Sequence, residues 1–456
     1  MKELLTLALT GVFTMLADMF NLRKLVFPLA LFGLAMTISW SIFDWGFNQR
    51  VFNMMQMDNY ALAFTIAMSG VTVLWFIMSE EYFSKMKAVT DRYSLVLFAL
   101  TGGLVMVSYT NMVMLFLGIE ILSVSLYVLA GSNKSDLASN ESAFKYFLMG
   151  AFASGFLLFG IALIYGVTGS FNLLEIRSAL GKVTETPVLA VGIIMLIVGM
   201  GFKIGAAPFH FWTPDVYQGA PTPITAFMST VVKMAAVAAM YRLFMTCFPS
   251  NTDIWVDIFA AMTVLTLLIG NIVAVMQHDV KRLLAFSSIS HAGYMLIAIF
   301  CVDGESDNSL LFYTVAYGLG SIAAFMVLYL VEKARGSVSI SAFHGLGKSN
   351  PLIAVALTMA LLSMAGIPPL AGFMAKYYIF VNAISEGYMS IVLFAIAMSL
   401  VGVYYYFKLI IAMFFHEDTE GEEKIEADSL QKLLLFIVCG GLLLLGILPQ
   451  LVYNVL

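Results

Sequence analysis

The fold is decided by residues 201–244, which read GFKIGAAPFHFWTPDVYQGAPTPITAFMSTVVKMAAVAAMYRLF. Lys203 and Lys233 lie here inside apolar helical segments. The stretch between them is interrupted by four prolines: Pro208, Pro214, Pro221 and Pro223. A lysine at membrane depth costs roughly 3 kcal/mol on translocon scales. Two such lysines on either side of a proline-rich interruption predict a chain that handles charge inside a bilayer.

The composition indicates an integral membrane protein. The 456 residues are 61% hydrophobic and only 11% charged, whereas soluble domains carry about 25% charged residues. The net charge of −5 does not indicate a basic surface for binding nucleic acid. Cys247, Cys301 and Cys439 are isolated from one another. Their spacing predicts no iron–sulfur cluster, zinc site or disulfide framework.

Apolar runs near 20 residues long predict an all-α polytopic protein with about fourteen transmembrane helices. Residues 1–20 lack a small-residue cleavage site and are interpreted as the first span, not as a signal peptide. The fourth and fifth runs are nearly continuous. The predicted spans are 4–20, 26–43, 60–78, 94–109, 112–130, 144–168, 188–209, 223–247, 254–276, 282–300, 310–331, 352–380, 389–415 and 433–453.

The basic residues of alternate loops predict the orientation, because cytoplasmic loops carry the excess of Lys and Arg. The side with both termini holds Lys2, Arg50, Arg177, Lys182 and Arg242. The opposite side holds Arg23, Lys24, Lys85, Lys87, Arg92, Lys134, Lys281, Arg282, Lys333, Arg335, Lys348, Lys424 and Lys432. The richer side is predicted to face the cytoplasm, with both termini on the outer, periplasmic side.

Two predicted helices are interrupted, the seventh by Pro208 and the twelfth by Pro368 and Pro369. Broken backbone in a bilayer needs protein or water to satisfy the freed groups, and paired broken helices suggest internal repeats. We expect two inverted five-helix repeats, helices four to eight and nine to thirteen. The predicted organisation is one transmembrane domain: 1–90 (helices one to three), 91–250 (repeat one), 251–415 (repeat two) and 416–456 (an acidic loop and helix fourteen).

Glu120 is the carboxylate placed deepest in a predicted span, and Lys203 is its natural partner. A nearby ammonium keeps a buried carboxylate charged. At a separation of ~6 Å and an effective dielectric constant of ~20, the carboxylate and the ammonium attract each other by about 3 kcal/mol. Opening such a pair would change the proton affinity of both groups. The pair is therefore interpreted as titrating, with a permanent structural ion pair as the alternative.

The other intramembrane lysines divide by their neighbours in sequence. Lys233 and Lys376 have no acidic residue within a turn or two, which favours lysines able to lose a proton. Lys145, near the start of the sixth helix, either reaches the cytoplasmic surface or tunes Glu120. Lys408, near a cytoplasmic helix end, is expected to reach the surface.

Two histidines are secondary candidates for a proton path, since histidine titrates near neutral pH. His210 and Asp215 flank Trp212 just after the seventh-helix break. They either relay protons or hold the broken backbone in place, and the sequence favours neither role. His291 lies in the tenth helix, where it either holds a water path or packs helices. Serines accompany it at Ser287, Ser288 and Ser290. Residues 345–350, GLGKSN, lack the first glycine of a phosphate loop and a preceding strand, which excludes nucleotide binding there.

Three motifs resemble the antiporter-like membrane subunits of respiratory complex I, over roughly residues 90–410. They are GFKIGAAPFHFWTPDVYQGAPTP at 201–223, KRLLAFSSISHAGY at 281–294 and GIPPLAGFMAKYY at 366–378. The resemblance implies a hydrophilic axis at mid-membrane made by Glu120, Lys203, Lys233 and Lys376. Lysine at the last position is similar to the subunit N branch, since subunit M would place a glutamate there.

The resemblance implies proton translocation driven by electron transfer from NADH to quinone elsewhere in a complex. This chain is then expected to bind no cofactor, while the complex uses NADH, FMN, iron–sulfur clusters and quinone. The expected partners are other membrane subunits and the lipid bilayer, and the expected location is the cell inner membrane. A subunit of a multi-subunit cation/proton antiporter or of a membrane-bound hydrogenase is the main alternative. A non-conducting membrane scaffold is the second.

Overall fold

The computed structural model describes residues 1–84, 89–181, 186–302, 306–417 and 425–456. The protein is a helical bundle in which each predicted span overlaps one or more helices. Its first half comprises α1 Lys2–Leu16, α2 Val26–Phe43, α3 Asn59–Ser84, α4 Val89–Ser108, α5 Met112–Ala130, α6 Leu137–Thr168, α7 Leu173–Leu180, α8 Pro187–Ile204, α9 Trp212–Gly219, α10 Thr222–Phe227 and α11 Lys233–Cys247.

The described residues of the second half form nine helices. They are α12 Thr252–Val275, α13 Val280–Phe300, α14 Ser306–Arg335, α15 Leu346–Ser349, α16 Pro351–Ala365, α17 Ala371–Ser385, α18 Met389–Phe415, α19 Ser429–Ile447 and α20 Gln450–Tyr453. A π-helical segment, Met228–Val232, joins α10 to α11. Short 3-10 turns occupy Arg23–Leu25 and Ile340–Phe343.

The length and apolarity of the helices confirm a polytopic membrane protein. Among the described residues, twelve helices are long and apolar enough to cross a membrane. The other two predicted spans correspond to α1 and to the interrupted pair α16 and α17, which have 15 residues each. The described residues contain one small sheet, in which β1 Gln49–Val51 pairs antiparallel with β2 Met55–Met57, with Gln49 opposite Met57.

Several predicted helix ends shift because capping groups, which hydropathy ignores, set them. The first helix ends at Leu16, not at residue 20. The sixth begins at Leu137, seven residues before the predicted start, since the Asp136 side chain accepts a hydrogen bond from Ala138 N and caps the helix. Asn111 likewise caps α5 by accepting from Val113 N, which separates the fourth and fifth helices clearly.

The two predicted breaks are present and share one local design. The helix α8 ends at Ile204 and α16 at Ala365, and each is followed by a glycine in the left-handed conformation, Gly205 (φ +74°) and Gly366 (φ +86°). The next turn of each segment contains a cis proline, at Pro208 and at Pro369. Each helix ends four residues before its cis proline, because the left-handed glycine ends the helix first.

Isolated β-bridges occur at corresponding places in the two halves of the chain. Isolated bridges pair Asn111 with Asn172 before α5 and Asp279 with Ser339 before α13. These features agree with two related halves. The unit boundaries 1–90, 91–250, 251–415 and 416–456 remain a prediction.

The most deeply buried part of the bundle is formed by α10, the π-helical segment, most of α11 and most of α13. Residues 222–244 are all buried, and so are residues 283–300 of α13. Outer helices such as α6 and α18 expose many apolar side chains, for example Phe152 and Leu400, as expected where lipid or another subunit covers them. Lys233 thus lies where protein, not lipid, surrounds it.

Some basic residues used for the orientation are not loop residues. Arg242 lies within α11, 9% exposed, and forms an ion pair with Asp58 at 2.5 Å. Lys281 is buried in the first turn of α13. The sequence placed both in loops because they flank apolar runs. Four further residues of that count, Lys85, Lys87, Lys182 and Lys424, lie outside the described residues, as does part of the acidic loop (418–424). The orientation remains a prediction.

Candidate functional site

Lys203 lies in the last turn of α8 and is 5% exposed. Its Nζ atom donates to Ser123 Oγ at 2.7 Å and lies 3.4 Å from the Tyr146 hydroxyl. The carbonyl end of a helix favours a cation, so the break after Ile204 places a favourable partial charge beside the ammonium. Both side-chain contacts of Lys203 are neutral hydroxyls.

Glu120 lies in the middle of α5 and is partly exposed at the protein surface. Its carboxylate accepts a hydrogen bond from Ser154 of α6. Among the described residues no oxygen of Glu120 lies within 4.0 Å of Lys203 Nζ. Ser123, one turn further along α5, is the hydroxyl that Lys203 contacts. Glu120 still acts on Lys203 electrostatically, so the predicted pair interacts at a distance and not as a contact ion pair.

Lys233 begins α11, directly after the π-helical segment, and is 3% exposed. Its ammonium donates to the backbone carbonyl of Ser288 and to Ser288 Oγ, the latter at 2.6 Å. The Tyr317 ring lies 5.8 Å from Nζ, in cation–π range. Lys233 thus joins α11 to α13 and α14 in the centre of the bundle.

Aromatic side chains connect the surroundings of Lys203 to those of Lys233. Tyr146 stacks on Trp212 with ring centroids 4.7 Å apart. Trp212 meets Tyr217 edge to face at 6.0 Å, and Tyr217 lies beside Ser288. The short helix α9 therefore contacts both lysine sites through Trp212 and Tyr217.

His291 lies on α13 and acts electrostatically on both Lys233 and Lys376. Its Nδ1 atom is 2.7 Å from the Tyr313 hydroxyl, and its Nε2 atom is 3.3 Å from the Tyr406 hydroxyl. A cavity of about 10 Å³ adjoins the ring, which is near the lower limit for one water molecule. His291 therefore bridges two lysine sites with hydroxyl partners on both ring nitrogens.

Lys376 lies on α17, after the second break, and is 7% exposed. Its ammonium donates to the carbonyl oxygen of Ala365 at 2.9 Å and to Ser399 Oγ at 2.8 Å. The Tyr294 ring lies 4.8 Å away. Ala365 is the last residue of α16, so the helix end created by the break supplies one acceptor. Lys203 and Lys376 both lie beside a broken helix end.

Lys203, Lys233 and Lys376 form a buried row of lysines. The remaining predicted candidates lie away from this row. Lys145 is 38% exposed and forms ion pairs with Glu141 at 2.7 Å and Asp215 at 2.8 Å. The surface alternative for Lys145 therefore matches the geometry. His210 is buried and packs on Phe211 with ring centroids 4.5 Å apart. Its Nδ1 atom has no hydrogen-bond partner among the described residues.

Sequence reasoning missed most of the groups that contact the lysines. Those on the lysines are Ser123, Tyr146, Tyr294, Tyr317 and Ser399, and His291 is contacted by Tyr313 and Tyr406. Only Ser123 carried a local signal, because it lies three residues after Glu120 and so on the same helix face. Lys408, expected at the surface, is partly buried and donates to the Gln277 carbonyl oxygen at 3.3 Å.

Comparisons with known proteins identify the family of the chain. Residues 110–402 match the family described as "NADH:quinone oxidoreductase/Mrp antiporter, TM". The chain is 41% identical to NADH-quinone oxidoreductase subunit N of Cytophaga hutchinsonii, covering 100% of this chain and 99% of the relative.

Solved structures give the same result. A chain of respiratory complex I from Thermus thermophilus matches with a TM-score of 0.84 and 34% identity, covering 99% of this chain and 98% of that one. A chain of the Mrp complex from Dietzia sp. matches with a TM-score of 0.86 and 20% identity, covering 99% and 94%. The latter likeness is one of fold alone.

Proposed function

The chain belongs to the NADH:quinone oxidoreductase/Mrp antiporter family of membrane subunits, and we propose that it moves protons through Glu120, Lys203, Lys233 and Lys376. It is subunit N of a proton-translocating NADH:quinone oxidoreductase, complex I, because its relatives with that name match over the full length of the chain. The observation that carries the proposed path is the buried row of three lysines with hydroxyl and carbonyl partners.

The contacts of the lysines suit proton exchange. Among the described residues no carboxylate oxygen lies within 4.0 Å of Nζ of Lys203, Lys233 or Lys376. A lysine held by a contact ion pair gives up its proton only at the cost of leaving a buried carboxylate unpaired. A lysine held by hydroxyls and carbonyls does not carry that cost, since a neutral amine keeps one hydrogen bond to each kind of group.

Charge on one member of the row affects the next. Two unit charges about 10 Å apart interact by about 1.7 kcal/mol at an effective dielectric of about 20. That energy changes a protonation equilibrium by more than tenfold. Protonation of Lys203 therefore favours release of the proton held by Lys233, and the effect continues through His291 to Lys376.

The cycle begins when the charge facing Glu120 changes. Glu120 is partly exposed, so a neighbouring membrane subunit can reach it. A loss of its attraction for Lys203 releases a proton from that lysine towards Lys233. The tyrosine and histidine hydrogen bonds around His291 then carry a proton towards Lys376, which delivers it to the exit side or passes the charge change onward. His291 is the secondary member of the proposed path, whereas Lys145 and His210 lie away from the three lysines.

The energy for this cycle reaches the chain through contacts with other membrane subunits of the complex. We propose that the chain itself binds no cofactor and that NADH, FMN, iron–sulfur clusters and quinone act elsewhere in the complex. The chain is a multi-pass membrane protein of a respiratory complex, and we place it in the cell inner membrane with both termini on the periplasmic side.

The test is the substitution Lys233→Met in the assembled complex. Methionine has a similar length and no charge, so it fills the space without carrying a proton. NADH-driven proton uptake by inverted membrane vesicles is expected to be abolished while the amount of assembled complex is unchanged. Wild-type pumping by this variant would refute the proposed path.

A further inference from the structure

A polar cavity of about 480 Å³ opens on the face that the positive charges predict to be cytoplasmic. Its lining includes Glu332 at the end of α14, Lys281 at the start of α13 and Thr222 at the start of α10. A cavity of this volume, lined by charged and polar groups, has room for several water molecules. It reaches the beginning of α10, which the π-helical segment joins to the helix that carries Lys233.

Lys281 lies at the inner wall of the cavity and is 3% exposed. Its ammonium donates to the Ala220 carbonyl oxygen at 2.6 Å, and Glu332 Oε1 lies 4.0 Å away. Glu332 also accepts a hydrogen bond from the Thr222 hydroxyl. Two further carboxylates, Asp136 and Asp279, act on Lys281 electrostatically. Lys281 thus fixes the position of a carboxylate that faces the water of the cavity.

A file of hydroxyl groups leads from this cavity to Lys233. Thr222, Thr225, Ser229 and Lys233 follow one another at spacings of three, four and four residues, so they lie along one helix face. All four are buried, with exposed fractions of 2%, 0%, 0% and 3%. At 1.5 Å per residue the file spans about 16 Å. Its inner end is the central lysine of the row.

The contacts of Thr225 connect the file to the cavity wall. Its hydroxyl donates to the Tyr217 carbonyl oxygen at 2.9 Å and lies 3.5 Å from the Ala220 carbonyl oxygen. The latter is the same carbonyl that accepts from Lys281. The Ser229 hydroxyl lies one turn further and donates to the Ala226 carbonyl at 3.0 Å. A hydroxyl both donates and accepts hydrogen bonds, so each of these groups can receive one proton and release another.

We propose that Glu332 is the proton-uptake group of this subunit and that Thr222, Thr225 and Ser229 conduct the proton to Lys233. The Glu332 carboxylate takes a proton from water in the cavity. A proton passes along the hydroxyls with intervening water, and the neutral amine of Lys233 accepts it, which leaves Glu332 ionised again. Lys281 is a positioning residue. This inference rests on the proposed function, since it assumes that Lys233 exchanges protons.

The experiment uses the assembled complex with Thr225→Val, Ser229→Ala and the double variant. Valine and alanine keep the buried volume nearly unchanged and remove only the hydroxyl. Each single variant is expected to lower NADH-driven proton uptake by inverted vesicles by about tenfold, the effect on rate of one lost hydrogen bond, and Thr225→Ser is expected to restore it. Glu332→Gln should match the single variants. The matched controls are Thr14→Val and Ser41→Ala, two buried hydroxyls of α1 and α2 bonded to their own helix carbonyls.

A second readout separates conduction from structure. When uptake limits turnover, the solvent deuterium isotope effect on coupled NADH oxidation rises in Ser229→Ala, whereas a merely structural weakening leaves it at the wild-type value. Wild-type pumping by the double variant, or an unchanged isotope effect in Ser229→Ala, would overturn the uptake path. If Lys233→Met itself pumps normally, the proposed function fails instead.

Discussion

Lys203 donates its hydrogen bond to Ser123 at 2.7 Å and forms no contact ion pair with Glu120. The carboxylate and the ammonium lie on neighbouring helices, with the serine hydroxyl as the group in contact. An ammonium bonded to a hydroxyl gives up its proton more readily than one in an ion pair, because no unpaired carboxylate remains. The separation between Glu120 and Lys203 therefore suits a pair whose coupling is switched by charge.

The substitution Ser123→Ala tests this relationship. Removal of the hydroxyl takes away a hydrogen bond to a charged group, worth about 1.5–3 kcal/mol. Lys203 is expected to turn towards Glu120, and the tighter pair should slow coupled NADH oxidation by about tenfold or more. The control is Ser41→Ala, whose hydroxyl bonds only to Thr37 O. Unchanged proton pumping with normal assembly in Ser123→Ala would contradict the role given to the hydroxyl.

His291 and His210 differ in their surroundings, and the sequence alone could not show which of them matters more for proton transfer. His291 lies between two lysine sites with a hydroxyl at each ring nitrogen, whereas His210 packs on Phe211. We expect His291→Phe to lower proton uptake by vesicles by about a hundredfold, in the range of a lost acid–base group. We expect His210→Phe to reduce uptake much less. Equal losses in the two variants would remove His291 from the path between Lys233 and Lys376.

Lys145 is expected to contribute to structure more than to conduction. Its partners Glu141 and Asp215 and its own side chain are all more than a third exposed, and exposed ion pairs contribute about 0–1 kcal/mol. The substitution Lys145→Met should leave most of the pumping intact and lower the thermal stability of the complex slightly. A loss of pumping as large as that in Lys203→Met would instead place Lys145 in the main path.

The packing of the second break gives a prediction about assembly. A Cβ atom on Gly372 would lie 1.8 Å from the Ser363 carbonyl oxygen, so α16 and α17 approach each other closely beside Lys376. The substitution Gly372→Ala forces these helices apart, at a cost of about 1–3 kcal/mol. We expect less assembled complex on native gels and weaker pumping by what remains.

Gly155→Ala is the matched control for Gly372→Ala. Gly155 lies on α6, which also spans the membrane, and among the described residues outside its own stretch of helix no atom lies within 4 Å of the position of a Cβ atom there. It should assemble and pump as the wild type does. Normal assembly of Gly372→Ala would show that the helices at the second break tolerate a wider spacing.

Much of this protein could be predicted from the sequence because the relevant physics is local. The length of each apolar run sets the number of spans. The cost of a charge in lipid singles out Glu120 and the five lysines of the predicted spans, Lys145, Lys203, Lys233, Lys376 and Lys408. The prolines locate the two breaks to within four residues. The resemblance to complex I subunits depends on the same motifs, since they carry these costly residues.

Tertiary structure alone decided what each of these groups touches. The sequence could not place Ser288 on Lys233, Ser399 on Lys376 or Glu332 beside Lys281, because each pair joins two different helices. It also assigned Lys281 to a loop, although the first turn of α13 is covered by its neighbours. Hydropathy and charge cost depend on a residue and its near neighbours, whereas a hydrogen bond between helices depends on which faces pack together. That choice is made only when the whole bundle closes.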